Sequence, residues 1–217
     1  MRGCVIFDMD GVLIDSQPFH YNTDMEVIKA AGALPRFADV ERLAGVALRD
    51  RCFAYKSEYG LSLPLDELIN LHVSILMKLF RETDLRPING IPELLASLKG
   101  ARVKTAVASS SSLALIRLVL EKLQISEYFD ALVTGEEVKN SKPAPDIFIK
   151  AAELLGCPPE NCAVVEDSAN GVLAAKNAGM YCVAYRNISS GKQDLSPADM
   201  IINSFEEIGN NLFWLGG

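Results

Sequence analysis

No stretch of this chain reaches the roughly 20 consecutive apolar residues that a membrane helix needs, so no membrane partner is expected. No block of lysine and arginine is present either. Lys and Arg number 21 against 28 Asp and Glu, for a formal net charge of −7. A net acidic chain without clustered cations is a poor partner for nucleic acid, whose phosphates demand such clusters. An anionic substrate would have to find positive charge locally, at a metal, a lysine or helix N-termini. No Cys-x-x-Cys occurs among Cys4, Cys52, Cys157, Cys162 and Cys182. The odd count, with Cys4 and Cys182 inside apolar runs, reads as buried free thiols of a reducing compartment. A signal-peptide pattern is missing, because Asp8 and Asp10 interrupt the first apolar stretch. These absences point to the cytoplasm. Internal repeats and low-complexity segments are absent too. What is abundant is core material: hydrophobic residues make up 49% of 217 residues, enough for one large domain or a core with a modest second one. Charged residues at 23% match ordinary globular composition and argue against wholesale disorder.

Strand signals are confined to the two ends of the chain. Cys4-Val5-Ile6-Phe7 is a short apolar run rich in β-formers and reads as a buried strand ended by Asp8-Met9-Asp10-Gly11. From about residue 17 to 82 only helices are expected: Gln17 to Ala31, a short one over Asp39 to Ala44, Leu48 to Tyr59, and a longer one marked by Leu65, Leu68, Ile69, Leu76, Leu79 and Phe80 on one face. Beyond it helices and strands alternate. The helices run over Ile91–Leu98, Leu113–Leu123, Pro145–Leu155 and Ala169–Ala178. The strands run over Val103–Ala108, Ala131–Val133, Ala163–Val165, Tyr181–Ala184 and Met200–Ile202. Alternation of this kind implies an α/β fold, a Rossmann-like parallel sheet with helices on both faces. The helical block is then an all-helical insertion after the first strand. The expected division is 1–14 and 86–217 for the core and 15–85 for the insertion.

Open α/β sheets bind ligands at the carboxyl ends of their strands. Strand ends or following loops here carry Asp8 and Asp10, Ser109, Lys142, and Glu166 with Asp167. Each has an ordinary reading by itself. Asp-x-Asp-Gly is a common turn, Ser109 to Ser112 could cap the next helix, and Glu166-Asp167 could be charge favoured at a helix start. One site on one sheet edge explains all of them together. A carboxylate can attack phosphorus, a second carboxyl two residues on can protonate a leaving oxygen, and crowded carboxylates call for a hard cation such as Mg²⁺. The helix start after Ser109 offers N–H groups to an anion, and Lys142 would neutralise phosphate charge.

Four segments carry a family resemblance. Asp8-Met9-Asp10-Gly11-Val12-Leu13-Ile14-Asp15-Ser16 resembles the first motif of the haloacid-dehalogenase-like hydrolases, and Val107-Ala108-Ser109-Ser110 resembles the second. Ser141-Lys142-Pro143-Ala144-Pro145-Asp146-Ile147-Phe148 resembles the third, and Val164-Val165-Glu166-Asp167-Ser168-Ala169-Asn170-Gly171 the fourth. They occur in family order and span the whole core. The helical block after the first motif resembles the branch with a helical cap, which includes β-phosphoglucomutase and sugar-phosphate phosphatases. The resemblance implies Asp8 as nucleophile and Mg²⁺ ligand. It implies Asp10 as general acid and base, offering the metal its backbone carbonyl. Ser109 and Lys142 would hold the transferring phosphoryl group, with Ser110 beside them, and Glu166 and Asp167 would complete the metal site.

On the cap side, His20, Gly45-Val46 and Arg49 resemble mutase residues that position the acid and grip a distal phosphate. The spacing from Gly45-Val46 to Arg49 differs from the mutase pattern. Ser112 and Leu113 stand where the mutase has lysine and asparagine, and His72 lies nearest the expected cap lysine. As residues, His20 reads equally as a capping or surface histidine, His72 as a packed one, and Arg49 as a solvated helix residue. The loss of two distal-phosphate groups favours a Mg²⁺-dependent phosphatase, working as a monomer on a small phosphorylated metabolite such as a sugar phosphate. A β-phosphoglucomutase-type mutase and a non-catalytic phospho-ligand binding protein are the alternatives. The last predicts loss of Asp8, Asp10 or a metal carboxylate, and none is lost.

Overall fold

The computed structural model describes residues 2–43, 46, 48–209 and 212–216. Two compact units are present, Met1–Asp15 with Leu85–Gly217, and Ser16–Asp84. Gly45 of the Gly45-Val46 pair, together with Ala44 and Ala47, lies outside the described residues.

The larger unit is built on strands β1 (Cys4–Phe7), β2 (Lys104–Ser109), β3 (Ala131–Thr134), β4 (Cys162–Glu166), β5 (Tyr181–Tyr185) and β6 (Met200–Ile202). They form one sheet in the order β3-β2-β1-β4-β5-β6, parallel throughout. Central strands of such a sheet are covered on both faces, so their sequences are continuous apolar runs rather than alternating ones; all four residues of β1 are buried. Period-2 geometry sends Cys4 and Ile6 to one face and Val5 and Phe7 to the other. The first face packs with Ala106, Ala108, Val164 and Cys182 against Ile147, Phe148 and Val172, which belong to helices α7 (Asp146–Leu155) and α8 (Ala169–Asn177). Helices α5 (Ile91–Gly100) and α6 (Leu113–Lys122) contact β2 and β3 respectively and bury Leu94, Leu98, Ile116 and Leu120. The chain order reverses at β1, which pairs with both β2 and β4.

A last helix, α9 (Glu206–Gly209), was not legible in the sequence; four residues are too few to show a helical period. The expectation of five free thiols needs correction. Cys4 and Cys157, 153 positions apart, are joined in a disulfide, while Cys52, Cys162 and Cys182 are free and buried. Cys4 opens β1, and Cys157 follows the left-handed Gly156 that ends α7, so only the finished fold brings them together.

The smaller unit contains α1 (Gln17–Ala30), α2 (Phe37–Arg42), α3 (Leu48–Tyr59) and α4 (Leu65–Glu82). Along α4 the buried residues are Leu68, His72, Leu76 and Phe80, a strict four-residue spacing that makes one face. His72 sits within that face, as its position among Ile69 and Leu76 implies. It is not surrounded by hydrocarbon alone. Asp24 of α1, 2% exposed, lies 3.1 Å by Oδ1 from His72 Nε2 and 3.6 Å by Oδ2 from Arg51 Nε, and it accepts a 3.2 Å hydrogen bond from the Tyr55 hydroxyl. Burial lowers the His72 pKa against the opposing pull of Asp24. A charge so enclosed is tolerated only when paired. Among the described residues no helix is long and apolar enough to cross a membrane.

The Asp24 cluster yields a stability prediction. Asp24→Ala leaves the Arg51 guanidinium enclosed without its counter-charge, and removing one partner of a buried pair costs about 3–5 kcal/mol. The variant's urea unfolding midpoint should fall accordingly, with the loss carried by the helical unit in residue-resolved hydrogen exchange.

Candidate active site

The register of the sheet sets out the site. Phe7 pairs with Val107 on one side and with Val165 on the other. The next residue of each strand or its exit, Asp8, Ala108 and Glu166, therefore stands at one level of the carboxyl edge. Lys142, from the loop before α7, reaches all three. Its ammonium donates to Asp8 Oδ1 at 2.5 Å, to the Ala108 carbonyl at 3.2 Å and to Glu166 Oε1 at 2.7 Å. Its side chain is 8% exposed, and its three N–H donors each have a partner. Burial opposes the ammonium's charge, but Asp8 and Glu166 outweigh burial and hold the Lys142 pKa above its ordinary value.

Asp8 begins the tight turn that carries Asp10. Gly11 has φ +80, a left-handed conformation natural to glycine, and a Cβ on it would fall 2.0 Å from Asp167 Oδ2. The missing side chain is what lets the loop after β4 close onto the first turn. Asp10 Oδ2 accepts from Ser109 Oγ at 3.3 Å and from Ser111 Oγ at 2.9 Å. The loop holding these serines is braced from below by Thr134, at the end of β3, whose hydroxyl donates to the Ser111 carbonyl at 2.7 Å. Ser112 is spent as the N-cap of α6, accepting from Leu115 N.

Glu166 is held from its other side. Oε2 accepts from the amides of Asp167 and Ser168, both at 2.8 Å, and from Ser168 Oγ at 3.0 Å. A Cβ on Gly171, in the first turn of α8, would lie 1.8 Å from Glu166 Oε1. Asp167 accepts from the Ser190 hydroxyl at 2.5 Å.

The expected core residues thus converge: Asp8, Asp10, Ser109, Lys142, Glu166 and Asp167 lie in one cluster. Ser110 differs. It is exposed, and Ser111 is the serine that reaches Asp10. In a run of four serines, spacing alone could not say which would turn inward. Ser190 and its neighbours in the loop after β5 were also missed, because polar residues in an irregular loop carry no periodic signal. His20 and Arg49 belong to the helical unit. Arg49 Nη1 lies 3.2 Å from Asp66 Oδ1, both side chains well exposed, and His20 is half-buried on α1.

Four carboxylates share this cluster with one ammonium, and two of them, Asp8 and Asp167, have raised pKa values. Burial, then the Glu166, Asp10 and Asp167 charges, raise the Asp8 pKa well above its ordinary value against the pull of Lys142. Asp167 is pushed up to about 7, by burial first and by Glu166 second. An all-oxygen donor set short of positive charge fits a hard divalent cation such as Mg²⁺.

A parallel, Rossmann-like sheet whose chain order reverses at β1, with a carboxylate-rich edge at that switch point, is the architecture of α/β enzymes that bind their ligand at the carboxyl ends of the strands. Residues 5–185 match the haloacid dehalogenase-like hydrolase family, and the chain belongs to that family. It is 34% identical over 212 residues to a phosphorylated carbohydrates phosphatase of Thermotoga maritima, covering 96% of this chain and 97% of that one. It is 31% identical over 213 residues to the β-phosphoglucomutase of Bacillus subtilis, covering 94% and 90%. Its fold superposes on CbbY of Rhodobacter sphaeroides in complex with xylulose-1,5-bisphosphate, with a TM-score of 0.85 and 27% identity over 96% of this chain and 97% of that one.

Gly171→Ala tests how closely the edge is packed. The added methyl must displace the Glu166 carboxylate and with it the Lys142 pairing. A misplacement of about 1 Å costs on the order of 10²-fold in rate, so kcat/KM for phosphate-ester hydrolysis should fall by about that factor while circular dichroism stays unchanged.

Proposed function

We propose that the chain is a Mg²⁺-dependent phosphatase that hydrolyses a small phosphorylated metabolite, a sugar phosphate, through an aspartyl-phosphate on Asp8. The observation that carries this reading is the pairing of Asp8 with buried Lys142 at 2.5 Å, with Asp10 two residues on and held by two serine hydroxyls.

In the first step an Asp8 carboxylate oxygen attacks phosphorus, and the bond to the leaving alkoxide breaks as Asp10 gives it a proton. In the second step Asp10 takes a proton from water, whose oxygen attacks phosphorus and frees the Asp8 carboxylate with inorganic phosphate. Lys142 and Ser109 orient the phosphoryl group and balance its charge. Mg²⁺, when bound, supplies charge neutralisation at the phosphoryl oxygens; Asp8, the Asp10 backbone carbonyl, Glu166 and Asp167 are the residues that would hold it.

A mutase reading is favoured by the likeness to β-phosphoglucomutase. A mutase must grip two phosphates at once. Here Ser112 is used as a helix cap, Leu113 offers no donor, and Arg49 is an exposed side chain paired with Asp66, an arrangement worth little for a second anion. These features support hydrolysis. The test is β-glucose 1-phosphate with a trace of glucose 1,6-bisphosphate. Inorganic phosphate should accumulate, EDTA should stop its release, and Asp8→Asn should abolish it. Glucose 6-phosphate forming faster than phosphate would establish the mutase instead.

Asp10→Asn should lower turnover by about 10²–10⁴-fold, the reach of a general acid–base group. The loss should be smaller for aryl phosphates, whose leaving groups need little protonation. Equal losses for aryl and alkyl phosphates, measured side by side, would remove Asp10 from that role.

A further inference from the structure

The segment after β5 carries four side chains that turn back onto the first and fourth motifs. Asn187, 8% exposed, donates through Nδ2 to the Gly11 carbonyl at 3.0 Å, while its Oδ1 accepts from the Ser189 amide at 2.9 Å and fixes the short 3-10 turn Ile188–Ser190. The Ser189 hydroxyl donates to Asp15 Oδ2 at 2.8 Å. The Ser190 hydroxyl donates to Asp167 Oδ2 at 2.5 Å. Gln193 closes the loop, donating to the Ser190 carbonyl at 2.9 Å and accepting from the Ala169 amide at 3.0 Å.

From these contacts we infer that the 187–193 segment is a positioning clamp for the cation site, with Ser190 as the residue that aims the Asp167 carboxylate. The inference rests on the phosphatase reading above and names residues that reading does not use. Its physical basis is directional. The Asp167 carboxylate fills the space where a Gly11 Cβ would stand, its Oδ2 2.0 Å from that position, so no side chain on Gly11 holds its rotation. The Ser190 hydroxyl donating to Oδ2 selects one orientation of that carboxylate. Asn187 performs the matching task on the opposite partner, since the carbonyl it holds belongs to the turn that carries Asp8 and Asp10. Gln193 ties the amide at the start of α8 to the same loop. The clamp therefore sets the separation between the two motifs that supply carboxylates, and it does so without touching substrate.

Partners of this kind that hold a ligand typically cost 10–100-fold in metal affinity when removed. The experiment is direct Mn²⁺ binding to the full chain without substrate, read from the free-ion signal in electron paramagnetic resonance, for the wild type, Ser190→Ala and Ser190→Thr. Ser190 is half-buried, so the alanine variant should fold, and its thermal midpoint in EDTA should match the wild type. Ser190→Ala should bind Mn²⁺ about 10–100-fold more weakly, and Ser190→Thr, which keeps the hydroxyl, should restore most of the affinity. An alanine variant with wild-type Mn²⁺ affinity would overturn the clamp. So would a fall in its EDTA midpoint with no recovery by threonine, which would mark Ser190 as structural only. A wild type that binds no Mn²⁺ would instead remove the cation reading on which the clamp depends.

Discussion

The ammonium of Lys142 is the point at which the core of this enzyme is tied together. Three partners converge on it, and they come from three adjacent strands at one register level: the carboxylate after β1, the carbonyl near the end of β2 and the carboxylate that ends β4. A lysine withdrawn from water to 8% exposure is tolerable only because every N–H finds an acceptor and two of these are charged. Glu166 and Asp8, for their part, could not share an edge without a cation between them. The lysine is thus a structural requirement of the carboxylate cluster before it is a participant in chemistry.

The consequence is a site whose geometry is set by exclusions of volume. Gly11 and Gly171 each leave a space that a carboxylate fills, Asp167 in one case and Glu166 in the other. The two loops after β1 and β4 therefore approach until side-chain oxygen meets backbone. A second tier then restrains what the strands have delivered: Thr134 under the serine loop, Ser168 and the neighbouring amides around Glu166, and the segment after β5 around Gly11 and Asp167.

How far the sequence disclosed this depended on the kind of signal each residue carries. β1 and β4 were readable because buried parallel strands are unbroken apolar runs, and a polar residue at the end of such a run stands out. Asp8, Glu166 and the start of the serine run were found that way, and the sheet's register then puts them side by side. Helix α4 was readable from its four-residue spacing. What was hidden lacked a period or needed the finished fold. Asp24, Arg51 and His72 are polar residues on three helices of the smaller unit, and nothing in their spacing announces that they meet. Cys4 and Cys157 are separated by 153 positions, so their bond follows from where α7 ends relative to β1. Ser190 ends a three-residue 3-10 turn in the connection after β5, where a serine is an ordinary turn residue.

The electrostatics of the edge also explain why a chain of net charge −7 can act on an anion. Lys142 offers a phosphate little in the state described, since its three donors are already engaged by Asp8, Ala108 and Glu166. The carboxylates around it would repel a phosphoryl group, and the pKa values of Asp8 and Asp167 are raised by burial first and by that repulsion within the cluster after it. Attraction must therefore come from added positive charge, and a divalent ion among oxygen donors answers that need. With a divalent cation neutralising the carboxylates, Lys142 would no longer have to serve them alone, and one of its donors would be open to a phosphoryl oxygen. Cation and phosphate would then favour each other's binding through the shared lysine, since such a coupling is reciprocal by thermodynamic necessity.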